Sequence, residues 1–198
     1  HGAYLSDLTP GTNYEYRVGY GDRRSQWYPL RTADGADFKA LIFPDSQSAD
    51  YGVWRDTAMP AWERNKDAQF FINMGDLVDN GQASYQWNAW FDACKYMIRQ
   101  IPVAPLDGNH ETYDLDWNMH MPVSYTTLFD LPKNGLSKYP NQFYSFDYGD
   151  IHFTVMDTQF TELKDFEPTL LDEETAWLIN DLKQTTKKWK IVLMHKDV

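Results

Sequence analysis

The 198-residue sequence contains a single cysteine, Cys94, so no disulfide can close within the chain, and its redox setting is left open. Cys94 falls in the run Trp87, Trp90, Phe91, Cys94, Met97, Ile98, whose spacing is helical, and it reads as a buried structural thiol rather than a nucleophile. Basic residues are scarce too. The 18 Lys and Arg against 29 Asp and Glu leave a formal net charge of -11 and no basic stripe to release counterions from a phosphate backbone, so nucleic acid is not an expected partner. Most of that excess reads as solvated acidic surface, and part of it as carboxylates gathered around cations. No run is long and apolar enough to span a bilayer. Internal repeats and low-complexity stretches are absent, and nothing in the sequence sets an oligomeric state. Aromatic surface is abundant, at 16% of residues, and a hydrophobic content of 42% suffices for a real core in one domain or slightly more.

The first 35 residues differ in kind from the rest. Ala3 to Gly19 reads as strand, turn, strand about Pro10-Gly11, with Tyr14, Tyr16 and Val18 alternating with polar residues, and Trp27 to Thr32 reads as a further strand. Leu8, Pro10, Thr12 and Tyr14 resemble the Leu-x-Pro-x-Thr-x-Tyr pattern in the closing strands of a fibronectin type III-like sandwich. Only about half of such a domain fits here, which leads to the expectation that the natural protein continues upstream. From Phe38 onward strands and helices alternate, as in an α/β fold. Strands are expected over Phe38–Phe43, up to Met74, up to Leu106, over Gln142–Asp147 and Ile151–Met156 as a hairpin, and over Lys190–Met194. Helices are expected over Trp54–Asn65 and Trp87–Ile98, and another with Leu171, Thr175, Leu178 and Leu182 on one face and Asp172, Glu173 and Glu174 at its N-terminus. Tyr113 to Lys138 reads as irregular.

Four of the apolar strands end in oxygen or imidazole donors: Asp45 after Leu41-Ile42-Phe43-Pro44, Asp76 after Phe70 to Gly75, Asn109 after Ile101 to Gly108, and His195 after Ile191 to Met194. Singly each has an ordinary explanation, such as an Asx turn or a satisfied core histidine. Four together read as a site for two metal ions on one edge of a buried sheet, and mixed O and N donors suit Fe, Mn or Zn better than Ca.

The motifs resemble those of the calcineurin-like metallophosphoesterase superfamily, with Asp45, then Gly75-Asp76 with Asp79, then Gly108-Asn109-His110-Glu111, then His195 in the family's order. A fibronectin-like segment ahead of them is similar to purple acid phosphatases in particular. The resemblance implies a metallophosphoesterase-type β-sandwich flanked by helices over residues 36–198, incomplete at its C-terminus and preceded by a partial all-β segment over residues 1–35. It also implies hydrolysis of a small phosphorylated substrate by two divalent or trivalent ions. Asp45 would bind one metal, Asp76 would bridge both, and Asn109 and His195 would bind the second. His110 would act beside the metals on the transition state or leaving oxygen, with Asp79 orienting its ring. Three departures accompany it. Gln47 stands where the superfamily has a histidine, with its amide oxygen as a candidate ligand. Asp79 stands where purple acid phosphatases have a metal-binding tyrosine, so no purple chromophore is expected. A Gly-His-x-His motif does not occur before Val198. The expected setting is secreted or cell-surface. A degenerate, non-catalytic binding module of the same fold is the competing expectation, and Tyr51, Trp54, Tyr113, Asp114 and Trp117 are candidates for the wall of a substrate pocket.

Overall fold

The computed structural model describes residues 3, 5–35 and 37–197. The N-terminal part forms two small antiparallel ribbons. β1 (Asn13–Tyr16) pairs with β4 (Tyr28–Arg31), and β2 (Gly19–Tyr20) pairs with β3 (Arg23–Arg24). The strand expected ahead of Pro10 is not formed over residues 5–9, and Tyr4 lies outside the described residues. That segment is tied by side chains instead. The Thr9 amide donates to the Tyr14 hydroxyl at 2.9 Å, and the Thr32 hydroxyl donates to the Thr9 carbonyl at 2.6 Å. Tyr16 anchors the ribbon to the main body through its hydroxyl, which donates to the Arg99 carbonyl.

The main body has two three-stranded sheets. β5 (Ala40–Phe43), β6 (Phe70–Met74) and β7 (Val103–Leu106) are parallel in that order. β8 (Tyr144–Tyr148) and β9 (Ile151–Val155) form the expected hairpin, and β10 (Trp189–Leu193) adds in parallel to β9. β6 is the central strand of its sheet and is buried on both faces, as a parallel strand covered on both sides must be, with its one polar residue, Asn73, donating to the Ser46 hydroxyl at 2.9 Å. Pro105, which has no amide N–H, is tolerated because β7 is an edge strand. The sheets meet through aromatic rings: Phe70 lies 5.8 Å from both Phe146 and Phe153, and those two stack at 4.8 Å.

α1 (Tyr51–Glu63) and α2 (Ser84–Ile98) cover the β5–β7 sheet. Asp50 caps α1 by accepting from the Gly52 amide at 2.8 Å. Trp54 stacks on Trp90, which is fully buried, and Trp54 is itself core rather than pocket wall. Cys94 is buried as expected, and burial pushes its thiol up to about 12. A short 3-10 turn (Asn109–Thr112) follows β7, and α4 is a single turn (Phe160–Leu163).

Two local expectations need correction. The region expected to be irregular contains α3 (Val123–Leu128), too short for periodicity to reveal, where Tyr125 is buried with its hydroxyl on the Pro105 carbonyl. On α5 (Leu170–Gln184) the buried residues are Leu170, Glu174 and Trp177, one residue out of phase with the expected leucine face, and Leu171 is exposed. The reason is polar. Glu174 does not serve the helix dipole but turns inward, where it accepts the Asp157 amide at 2.8 Å.

Candidate metal centre

Three of the four donor-bearing strand ends lie on one sheet edge, at the C-terminal ends of β5, β6 and β7, leading to Asp45, Asp76 and Asn109. The fourth does not: β10 belongs to the other sheet, so the expectation of a single sheet edge is corrected. His195 crosses between the layers because its Nδ1 lies 2.8 Å from the Met74 carbonyl. A carbonyl can only accept, so Nδ1 carries the proton and Nε2 is turned toward the other donors.

The backbone is bent to make this possible. Asp45 and Asp76 have φ of 32° and 49°, in the left-handed region that non-glycine residues seldom occupy. Such strain persists where the surroundings over-determine it. For Asp76 they do. Oδ1 accepts the His110 amide at 3.0 Å and lies 3.3 Å from His195 Nε2, and Oδ2 accepts the Gln47 side-chain amide at 3.1 Å. Asn109 Oδ1 is also 3.3 Å from His195 Nε2. One ligand atom from each of Asp45, Asp76 and His195 falls within 4.8 Å of the others. The Asp76 and His195 side chains are buried while the Asp45 side chain is 54% exposed, so the cluster opens toward solvent on one side. Two glycines keep that space clear. A Cβ on Gly75 would meet the His195 ring, and one on Gly108 would meet the Asp76 carboxylate.

Asp76 and His195 stabilise each other's charge. Burial works against the Asp76 carboxylate, yet hydrogen bonds from His195 and His110 hold its pKa below the usual value. Burial likewise opposes the His195 imidazolium, and the Asp76 carboxylate and Met74 carbonyl outweigh it and raise its pKa. The cluster therefore favours positive charge at its centre, and its carboxylate, amide and imidazole donors could hold a metal ion. Gln47 fits the same picture: its Oε1 is buried without a hydrogen-bond partner.

His110 lies beside this cluster, its Nε2 4.0 Å from Asp76 Oδ2. Its Nδ1 is 2.7 Å from the Asp79 backbone carbonyl but 3.5 Å from the Asp79 carboxylate. The ring is thus oriented by the main chain of Asp79 more closely than by its side chain. Tyr51 supports that loop by accepting the Asp79 amide at 3.2 Å, and burial raises its phenol to about 12. A cleft of about 540 Å³ opens here, lined by Ser48, Tyr51, Arg55, Asp79 and Tyr85 among others. His120 and His152 stay outside the cluster: His120 Nδ1 lies 3.0 Å from the Met121 carbonyl, and His152 is on β9.

Of the acids beneath the site, the sequence gives a role only to Glu174, at the helix dipole, and none to Glu111, Asp107 or Asp157. Glu111 is buried and accepts the Leu77, Val78 and Gly108 amides at 2.9, 3.1 and 2.7 Å, which staples the two acidic loops together. Burial and the Asp76 charge still push its pKa up to about 8. Below it Asp107 is fully buried with neither carboxyl oxygen hydrogen-bonded, and burial with the Asp157 charge raises its pKa strongly. Burial lifts Asp157 to about 7 and Glu174 to about 9. For Glu111, Asp107 and Asp157 the only sequence signal is an acidic residue inside an apolar frame, which an exposed carboxylate gives equally well.

A family model described as calcineurin-like phosphoesterase matches residues 38–198. Purple acid phosphatase 1 of Ipomoea batatas is 25% identical over 208 residues, covering 98% of this chain and 42% of that protein. Purple acid phosphatase 23 of Arabidopsis thaliana is 27% identical over 231 residues, covering 98% of this chain and 48% of its own length. Another Arabidopsis thaliana relative, 25% identical, is named probable inactive purple acid phosphatase 1. The chain thus spans under half the length of these curated relatives. A solved purple acid phosphatase from yellow lupin (Lupinus luteus) seeds shares the fold, with a TM-score of 0.76 at 20% identity over 95% of this chain and 37% of that one. Among the described residues no helix is long and apolar enough to cross a membrane. With the family match extending over most of its length, the chain belongs to the calcineurin-like phosphoesterases, a family of metal-dependent enzymes.

Proposed function

We propose that these residues form the reaction centre of a metallophosphatase that hydrolyses phosphomonoesters. The observation that carries this reading is the convergence of Asp45, Asp76 and His195 donor atoms within 4.8 Å, with the His110 ring alongside. Asp45 would bind one cation, Asp76 would bridge two, and Asn109 and His195 would bind the second, with the Gln47 amide oxygen as a further donor to the first. Two Fe, Mn or Zn ions bound there would supply Lewis acidity and an activated water.

The chain's own residues account for the rest of the chemistry. The Asp79 carbonyl takes the Nδ1 proton of His110 as a hydrogen bond, which leaves Nε2 facing the space over Asp76. A proton held on Nε2 can pass to the departing oxygen, without which an alkoxide leaves poorly. Asp79 keeps a carboxylate 3.5 Å from the same ring. Glu111 holds the two loops in register, so that the Asp76 and His110 positions do not drift apart.

Residues 1–35 are proposed as the closing strands of a fibronectin type III-like domain and residues 36–198 as the N-terminal part of the phosphoesterase domain. The start of the family match at residue 38 and the small ribbons ahead of it support that division. A secreted or cell-surface setting belongs to the same proposal and rests on the likeness to purple acid phosphatases alone. The test is turnover of a generic aryl phosphate by the full-length protein loaded with Mn, Fe or Zn. Asp76→Asn is expected to lower it by on the order of 100-fold or more. No turnover of phosphomonoesters or diesters by the loaded wild type would sink the reading.

One observation favours a second reading, a non-catalytic binding module. Gln47 donates a hydrogen bond to Asp76 Oδ2 from the place where the superfamily has a histidine ligand. If the first metal position is lost in this way, the loaded protein holds one ion or none and turns over nothing.

A further inference from the structure

The loop after the 3-10 turn sets two aromatic rings against His110. Tyr113 lies 5.5 Å and Trp117 6.3 Å from it, both nearly perpendicular at 85° and 89°, and the two rings are 5.8 Å apart. Trp117 is 55% exposed, a large indole in water beside the proposed proton donor. The loop that carries it is tied down at several points. Asp114 Oδ1 accepts the Asp116 and Asn118 amides at 2.9 and 2.8 Å, and the Trp117 amide donates to the Asp114 carbonyl at 3.0 Å. That carbonyl also accepts from the Asn80 side chain, and Tyr113 bridges to Met119. Within this frame Trp117 has φ of 64°, a conformation that bulky residues avoid. Packing against Tyr113 and His110 covers less than half of the residue, so most of the indole gains nothing from the fold. Strain of this kind, next to a reacting group, points to a ligand.

We propose that Trp117, flanked by Tyr113, is the platform on which the planar organic group of an aryl or nucleoside monophosphate stacks. This rests on the phosphoester reading above and names the substrate class for the same site. If His110 serves the leaving oxygen, whatever is bonded to that oxygen comes against the rings beside His110. A planar group gains offset stacking on the indole, whereas a short aliphatic group leaves the indole wet. Leu115 and Met119, 65% and 43% exposed, extend the apolar surface around it. The Asp114 and Asp116 carboxylates on the same loop disfavour a substituent that carries further negative charge.

The test is calorimetric titration of the full-length, Mn(II)-loaded protein with phenylphosphonate and with methylphosphonate, neither of which can be hydrolysed as an ester. Phenylphosphonate is expected to bind about fivefold to tenfold more tightly in the wild type. That ratio should fall toward one in Trp117→Leu and be retained in Trp117→Phe, which keeps a ring and reports that the loop is still formed. A wild-type ratio near one, or a ratio that survives in Trp117→Leu, overturns the platform, while the bound methylphosphonate leaves the phosphoester reading standing. Binding of neither phosphonate overturns both.

Discussion

His195 and His152 are both partly or wholly buried histidines that lean on carboxylates, and the way each is satisfied separates a candidate ligand from a structural clamp. His152, on β9, has both ring nitrogens at short distances from acids of this chain: Nδ1 is 2.7 Å from Asp147 and Nε2 is 2.8 Å from Asp181. The Asp181 carboxylate also accepts from Thr154 and Ser145, at 2.8 and 2.7 Å, so the network closes on itself and ties β8 and β9 to α5. His195 spends only Nδ1 on a short bond. Its Nε2 sits 3.3 Å from two oxygens at once, those of Asp76 and Asn109. A nitrogen shared at long range between acceptors is under-satisfied, which is what a position prepared for another positive centre looks like.

The comparison breaks if exchanging the two histidines for a neutral side chain gives the same outcome. His195→Asn is expected to produce the largest effect, a loss of metal affinity on the order of 100-fold or more with one ion lost per chain, read by metal analysis after dialysis. His152→Asn should leave the metal content unchanged and destabilise the fold by about 2–3 kcal/mol, below the usual figure for a broken buried pair because Asp147 is half exposed. Urea denaturation would measure it. The pH dependence sharpens this further. Burial works against the His152 imidazolium, but Asp181 and Asp147 outweigh it and raise its pKa above 6.5. Its contribution is therefore fully present below about pH 6.5, the unfolded value, and is lost as pH rises through the folded pKa. The wild type should lose stability over that rise relative to His152→Asn, and parallel curves would contradict the clamp.

A smaller effect is expected at the buried acids. Glu174, raised to about 9, holds its proton in the folded state long after the unfolded chain has released it. Stability falls as pH climbs from about 4.5 toward 9, and Glu174→Gln, which keeps the acceptor for the Asp157 amide, should flatten that part of the curve. An unchanged slope would mean that Glu174 ionises in the fold.

Much of this was legible in the sequence, for physical reasons that differ by element. β6 was readable because Phe70 to Met74 is apolar at every position but Asn73, and the loops were readable because Asp76 and Asn109 follow apolar runs closed by glycine. The partnership of β10 with β9 was not, since strand order depends on contacts distant in sequence. It follows that His195 comes from the opposite layer. The phase of α5 was misread because leucine spacing favoured Leu171, whereas the buried Glu174 accepts a main-chain amide and decides the face. The roles of Glu111 and Asp107 were equally invisible, because a carboxylate's burial is set by its surroundings and not by its neighbours in sequence. The left-handed backbones of Asp45, Asp76 and Trp117 belong to the same class: nothing in the sequence marks them, and all three lie at the site or against its rim.

The most direct test is the number of metal ions held per chain by the full-length protein, loaded with Mn(II) or Zn(II) and freed of excess by gel filtration. A two-cation centre built on Asp45, Asp76, Asn109 and His195 predicts two ions per chain. One ion or none would contradict it and leave the fold as a binding module.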